Sequence, residues 1–272
     1  MFFDNSKYFI FDKEICSSQG DIIKIFKLAN DLVDEKSLDM WASSLKNNYC
    51  EECFLNSLIS GTGLTRKEYL ENFVFPDPSN PQGAATMSGE FGEILMYDFI
   101  DFVLKYYITR TRYLEKVNRN MPVPGSDVIG YKLDDINNPN YTDQLIVAEV
   151  KTSSRRLAQN EVKDRIELAI KHSVKDKVRI GESLNAEKRR LLNRSRNNEA
   201  KIVERFQNKT DRPFKMKLFA VIVLEEKSYS DKVVLDAVNN QYEKSKETNI
   251  LIICSKELKT FLRELYRRAC LC

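Results

Sequence analysis

The chain has a single histidine, His172, in 272 residues, and its one C-x-x-C is Cys50 with Cys53. A tetrahedral zinc site needs four ligands. A lone pair of thiols and one histidine do not supply them, so free thiols in a reducing compartment are expected. His172 is flanked by Lys171 and Lys175 and reads as a surface helix residue rather than a ligand. No apolar run approaches the roughly 20 residues that span a bilayer, which argues against a membrane protein. The opening stretch "MFFDNSKYFIFDKE" lacks a basic segment ahead of a long apolar one, so no signal peptide and a cytoplasmic location are expected. No G-x-x-x-x-G-K-[ST] is present, so any ATP use belongs to another chain. Internal repeats and low-complexity tracts are also missing.

What the chain does have is an uneven charge. The net charge is +3, yet residues 171–215 hold fourteen Lys/Arg against six Asp/Glu, a surplus of eight that leaves the remainder at −5. A basic segment in an otherwise acidic chain is a candidate polyanion-binding surface, or else a solvated, salt-bridged helix. Apolar periodicity predicts a mostly helical segment over residues 1–80, with helices at 21–33, 38–59 and 65–73. The proline-rich "FPDPSNPQG" (75–83) reads as a boundary loop. Beyond it, 84–272 reads as an α/β domain with a mixed sheet flanked by helices. It has a helix at 88–107 capped by Ser88, a short strand at 110–118, and a turn into a strand at 122–135. The main strand is 144–153. Helices follow at 158–173 and 184–207, then strands at 214–226 and 249–255 and a closing helix at 256–269.

The main strand, "QLIVAEVKTS", is apolar until it reaches Glu149 and Lys151. Strand side chains alternate, so these two share a face. Charges near a sheet interior are costly unless paired or coordinated. Asp127 opens the preceding strand just after Pro124-Gly125, and pairing of the two strands would lay it beside Glu149. Two adjacent carboxylates repel unless a cation neutralises them, and oxygen donors of this kind suit Mg²⁺ or Mn²⁺. The carbonyl of Val150 lies between the two charged residues as a neutral donor. An ammonium at Lys151 would orient or deprotonate an attacking water, or stabilise charge on a phosphate. The plain alternative is a Glu–Lys ion pair at a strand end. At 100° per residue along 88–107, Glu90, Asp98, Asp101 and Lys105 form a polar arc, while Glu93 faces inward among Tyr97, Ile100 and Leu104. Glu93 is therefore the expected fourth member of the site, with Glu90 as the other candidate.

"GEFGE" (89–93), "PGSD" (124–127) and "EVK" (149–151), in this order over roughly residues 86–255, resemble the PD-(D/E)xK nuclease superfamily. Within it, "GEFGEILMYDFI", "PGSDVIGY" and "LIVAEVKTS" look like the nuclease subunits of Hachiman anti-phage defence systems. Such proteins often carry His-Gly before the Asp, where this chain has Pro-Gly-Ser. The resemblance implies a restriction-endonuclease-like core and a metal-dependent DNA endonuclease of low sequence specificity. Asp127 and Glu149 would hold Mg²⁺, Lys151 would position water, and Glu93 would complete the site. It also implies a superfamily 2 helicase partner and single- or double-stranded DNA as substrate, with residues 1–80 a possible docking segment. Around this core, Arg155 and Arg156 leave the strand near the proposed metal, and Gln159 and Lys163 open the next helix. Lys188, Arg189, Arg190, Arg194 and Arg196 cluster farther along as candidate phosphate contacts. Two other readings are a catalytically silent nucleic-acid-binding or assembly subunit, and an RNA-directed hydrolase with the same metal site.

Overall fold

The computed structural model describes residues 2–272. Its elements, with two short π turns at Leu70–Val74 and Phe99–Val103, run β1 (Phe9–Cys16), β2 (Ile22–Leu28), α1 (Glu35–Tyr49), α2 (Glu52–Ile59), α3 (Arg66–Tyr69), α4 (Pro81–Asp98), β3 (Val128–Lys132) and β4 (Gln144–Ser153). They continue as α5 (Gln159–Asn193), α6 (Asn197–Arg205), β5 (Lys215–Glu225), α7 (Asp231–Asn240), α8 (Tyr242–Ser245), β6 (Thr248–Ser255) and α9 (Leu258–Ala269). One six-stranded mixed sheet, in the order β1-β2-β6-β5-β4-β3, forms the middle layer. The four inner strands β2, β6, β5 and β4 run parallel, and the two edge strands run antiparallel to their neighbours. On one face, Ile146, Ala148 and Val150 of β4 and Val221 and Val223 of β5 pack against α1, α4 and α9. On the other, Leu145, Val147, Ala220 and Ile222 meet α5, α6 and α7. Both faces are covered, which is why the inner strands read as unbroken apolar runs. No helix among the described residues is long and apolar enough to cross a membrane.

The N-terminal segment corrects the first expected helix. "IIKIFKL" inside 21–33 is β2, with Ile23 and Ile25 buried and Ile22 and Lys24 exposed. Its apolar residues fit periods of both 2 and 3.6, and the β-branched isoleucines tip the balance to strand. Because β2 pairs with β6, the sheet crosses the expected 80/84 boundary. The helix expected at 38–59 breaks at Cys50, whose backbone is extended, into α1 and α2. The next helix begins earlier than expected. Pro81 occupies its first turn, and Asn80 rather than Ser88 caps it, accepting from the Gln82 amide at 2.9 Å. Residues 110–118 form turns rather than a strand. The two expected helices 158–173 and 184–207 are one 35-residue α5, followed by a break at 194–196 and then α6. Helix α7 was not anticipated.

Gly92 sets how α4 lies on β4. A Cβ built there would fall 1.8 Å from Thr152 Oγ1 and 2.9 Å from its Cβ. Threonine is short and branched, so it has no flexible end to move aside. Gly92→Ala gains about 1 kcal/mol of helix propensity but overpacks the core at about 1–3 kcal/mol. The expected result is a lower urea midpoint, and adding Thr152→Ala to the same chain should recover it.

Candidate active site

Strand β3 stops short of its partner. The register ends at Val128 opposite Ala148, so β4 runs on for five residues with its outer edge open. Asp127 fills the start of that gap. Continuing the register sets it opposite Glu149, and its Oδ2 accepts the Val150 amide at 3.0 Å. A residue's N–H and C=O point to the same strand edge, so the Val150 carbonyl looks out on this gap as well. Glu149 and Lys151 project toward α5, the face of Leu145 and Val147. There they form an ion pair with each other. The Nδ1 of His172, on α5, lies 3.3 Å from Glu149 Oε1. His172 thus corrects its expected place: it turns to the site and is only partly exposed.

Glu93 comes from α4, on the opposite face of the sheet, and reaches the group around the open edge. One guanidinium joins the two sides. Arg112 Nε lies 3.1 Å from Glu93 Oε2, poorly aligned for a hydrogen bond, and its NH2 is 3.4 Å from Asp127 Oδ1. The same side chain donates to the carbonyls of Ser126 at 2.5 Å and Val123 at 2.7 Å. It therefore clamps the Val123–Asp127 turn that aims Asp127. Tyr113 OH completes the shell of Glu93. Sequence reasoning passed over Arg112 and Tyr113, because a cation whose ligands are backbone carbonyls leaves no side-chain motif.

The expectation that Glu90 is a surface residue is corrected: it is 2% exposed and held by Lys116 and, at 2.8 Å, by Tyr49 OH. Asp98, on the same expected polar arc, is buried with Arg110 at 2.8 Å and Asn5 at 2.6 Å. Residues 2–75 cover this side of α4, a layer that helix periodicity does not reveal. Glu90 is thus locked into a structural ion pair, and Glu93 is the carboxylate beside Asp127.

The charge of Asp127 acts on both glutamates. Burial, then the charge of Asp127, pushes Glu93 up to about 8. Burial and Asp127 likewise push Glu149 up to about 7. Burial works to lower the Lys151 ammonium, but Glu149, Asp127 and Glu93 outweigh it and leave its pKa raised. A carboxyl that binds its proton more tightly when folded makes stability fall as pH rises from its unfolded value to its folded one. Metal-free protein should therefore lose stability from pH 5 to pH 8, by up to about 1.4 kcal/mol per pH unit for each group. Glu149→Gln should flatten that slope in urea titrations; a rise in stability over this range would contradict the assignment.

Among the described residues no three Asp, Glu, His or Cys side chains are gathered closely enough to hold a metal ion as they stand. The reason is visible in the partners: Arg112 sits between Glu93 and Asp127, and Lys151 sits on Glu149. The donor set itself, three carboxylates and a carbonyl, is the all-oxygen kind that hard divalent cations take.

The expected nucleic-acid contacts divide. Arg155 and Arg156 are exposed beyond β4, Arg155 beside Glu161. Arg189 is exposed on α5. Arg190 lines a cleft next to Asp127. Lys188 is tied to Glu204 at 2.7 Å, Arg194 to Glu51 at 2.7 Å and the Leu114 carbonyl, and Arg196 to Glu199 and the Thr109 carbonyl. The last two brace the 109–115 segment rather than facing solvent. Gln159 turns away to the Ser228 carbonyl. The six cysteines are free thiols.

No curated protein and no solved structure matches the chain. A family model, HamA, matches residues 3–269, nearly its whole length. The chain therefore belongs to the HamA family, the family of the Hachiman anti-phage defence protein.

Proposed function

We propose that this Hachiman protein is the nuclease effector of the system, a metal-dependent DNA endonuclease of low sequence specificity that works beside a helicase subunit. One observation carries this reading. Asp127 and Glu149 lie side by side at the open end of β3 and β4, with Lys151 on the same face and Glu93 brought to Asp127 by Arg112. A lone Glu–Lys pair would need neither the extra carboxylates nor the guanidinium clamp.

Asp127, Glu149 and the Val150 carbonyl would hold Mg²⁺ or Mn²⁺, with Glu93 alongside. Such an ion, when bound, supplies charge stabilisation at a phosphodiester and a more acidic water. The protein's own residues do the rest. Arg112 and the Val150 amide fix the Asp127 carboxylate from two directions. Lys151, held cationic by its acidic neighbours, serves as a donor to water and to the developing phosphate charge rather than as a base. His172 orients Glu149 from α5.

The internal pairs Arg112–Glu93 and Lys151–Glu149 favour a second reading, a silent assembly subunit whose charges are already satisfied. Plasmid incubation with Mg²⁺ or Mn²⁺, alone and with a helicase subunit and ATP, separates the two. Cleavage that stops with chelator supports the nuclease; intact plasmid under every condition, with binding retained, supports the silent subunit.

A further inference from the structure

Beside Asp127 lies a cleft of about 320 Å³. One wall is α5, whose Arg179, Ser183, Ala186 and Arg190 recur at helical spacing and share a face. The other wall is the 108–112 segment with Arg112, and the lip is the Pro124–Asp127 turn. Ser183 Oγ accepts the Ser126 amide at 3.0 Å, which ties the lip to α5.

The cations of this cleft are under-used. Arg190 donates only its Nε, to Thr111 Oγ1 at 3.3 Å, and has no carboxylate partner among the described residues. Arg179 gives one nitrogen to Asp176 at 2.7 Å. The buried Arg112 Nε has no aligned acceptor. Three acids also line the cleft: Asp127, which Arg112 contacts, Glu182, and Glu187, which turns to the hydroxyls of Tyr131 and Thr109, is raised in pKa by burial and lies near Arg190 and Arg112. Guanidinium groups match phosphate oxygens in shape and charge. The volume suits a ligand the size of one nucleotide.

We propose that this cleft is a subsite for a nucleotide's phosphate ester, with Arg190 taking the phosphate and the sugar and base lying along α5 toward Arg179. The occupant is either the unit of a strand next to the one at Asp127 and Glu149, or a free nucleotide. The strand version rests on the nuclease reading; the binding itself does not.

The test is titration of the full chain, in chelator, with (dT)8, dTMP and inorganic phosphate, for the wild type, Arg190→Gln and Ala186→Leu. The second variant fills the cleft and leaves every charge in place. Both should bind at least about tenfold more weakly while their melting temperatures stay near wild type. Loss for (dT)8 identifies a strand; loss for dTMP alone identifies a free nucleotide. Wild-type affinity for all three probes in both folded variants overturns the subsite. A chain that cleaves nothing yet loses dTMP with Arg190→Gln keeps the subsite and sinks the nuclease.

Discussion

Glu149→Ala and Lys151→Ala should each reduce DNA cleavage by about 10²–10⁴-fold, the span of general acid–base and electrostatic contributions. Glu149 neighbours Asp127 across the strand gap and carries both Lys151 and His172, so its loss removes a donor oxygen and frees an ammonium and an imidazole together. Lys151→Ala leaves the carboxylates but removes the ammonium that their charges hold on the same face. Both variants should fold, since the two side chains lie on the part of β4 beyond its pairing with β3. Binding of a labelled duplex should persist in both, with loss confined to turnover. Cleavage at wild-type rate in either would remove that residue from the site. Glu90→Gln is the informative contrast: it should cost stability, through Lys116 and Tyr49, more than it costs chemistry.

Arg205→Ala should be among the most destabilising single changes in the chain, by about 3–5 kcal/mol. Arg205 is 1% exposed at the end of α6. It donates to Asp143 at 2.8 Å and to the carbonyls of Asn140, Arg212 and Pro213 at 2.9–3.0 Å. It therefore ties the loop entering β4 to the loop entering β5, two adjacent parallel strands. Alanine leaves a buried carboxylate uncompensated and the Arg212 and Pro213 carbonyls without their donor, and urea unfolding reads the loss directly. Replacing both partners with apolar residues, Arg205→Met with Asp143→Leu, should recover much of it, because a buried pair is far costlier to break than to exchange. A single variant that melts with wild type would show that water already reaches the site.

Strand β4 shows what could be read in advance. "QLIVAEVKTS" was bounded to the residue, because an apolar run that ends in Glu-x-Lys has few other conformations open to it. Beta-strands 5 and 6 are legible as buried apolar runs, and helix α9 by its helical apolar spacing. The 21–33 segment was not, because one apolar pattern satisfied two periods. The burial of Glu90 and Asp98 was not, because the covering layer comes from residues about 40 to 90 positions earlier in the chain.

The sequence by itself determined the α/β class, the parity that puts Glu149 and Lys151 on one face, and the order of motifs that resembles a nuclease. Those are local properties: strand alternation, turn chemistry and residue type act within a few positions. The tertiary structure decided the rest. It set Glu93 rather than Glu90 beside Asp127 and turned His172 inward. It also gave Arg112 its place between two carboxylates and three backbone carbonyls. A guanidinium anchored on carbonyls is specified by where the chain passes, and only the closed fold fixes that path.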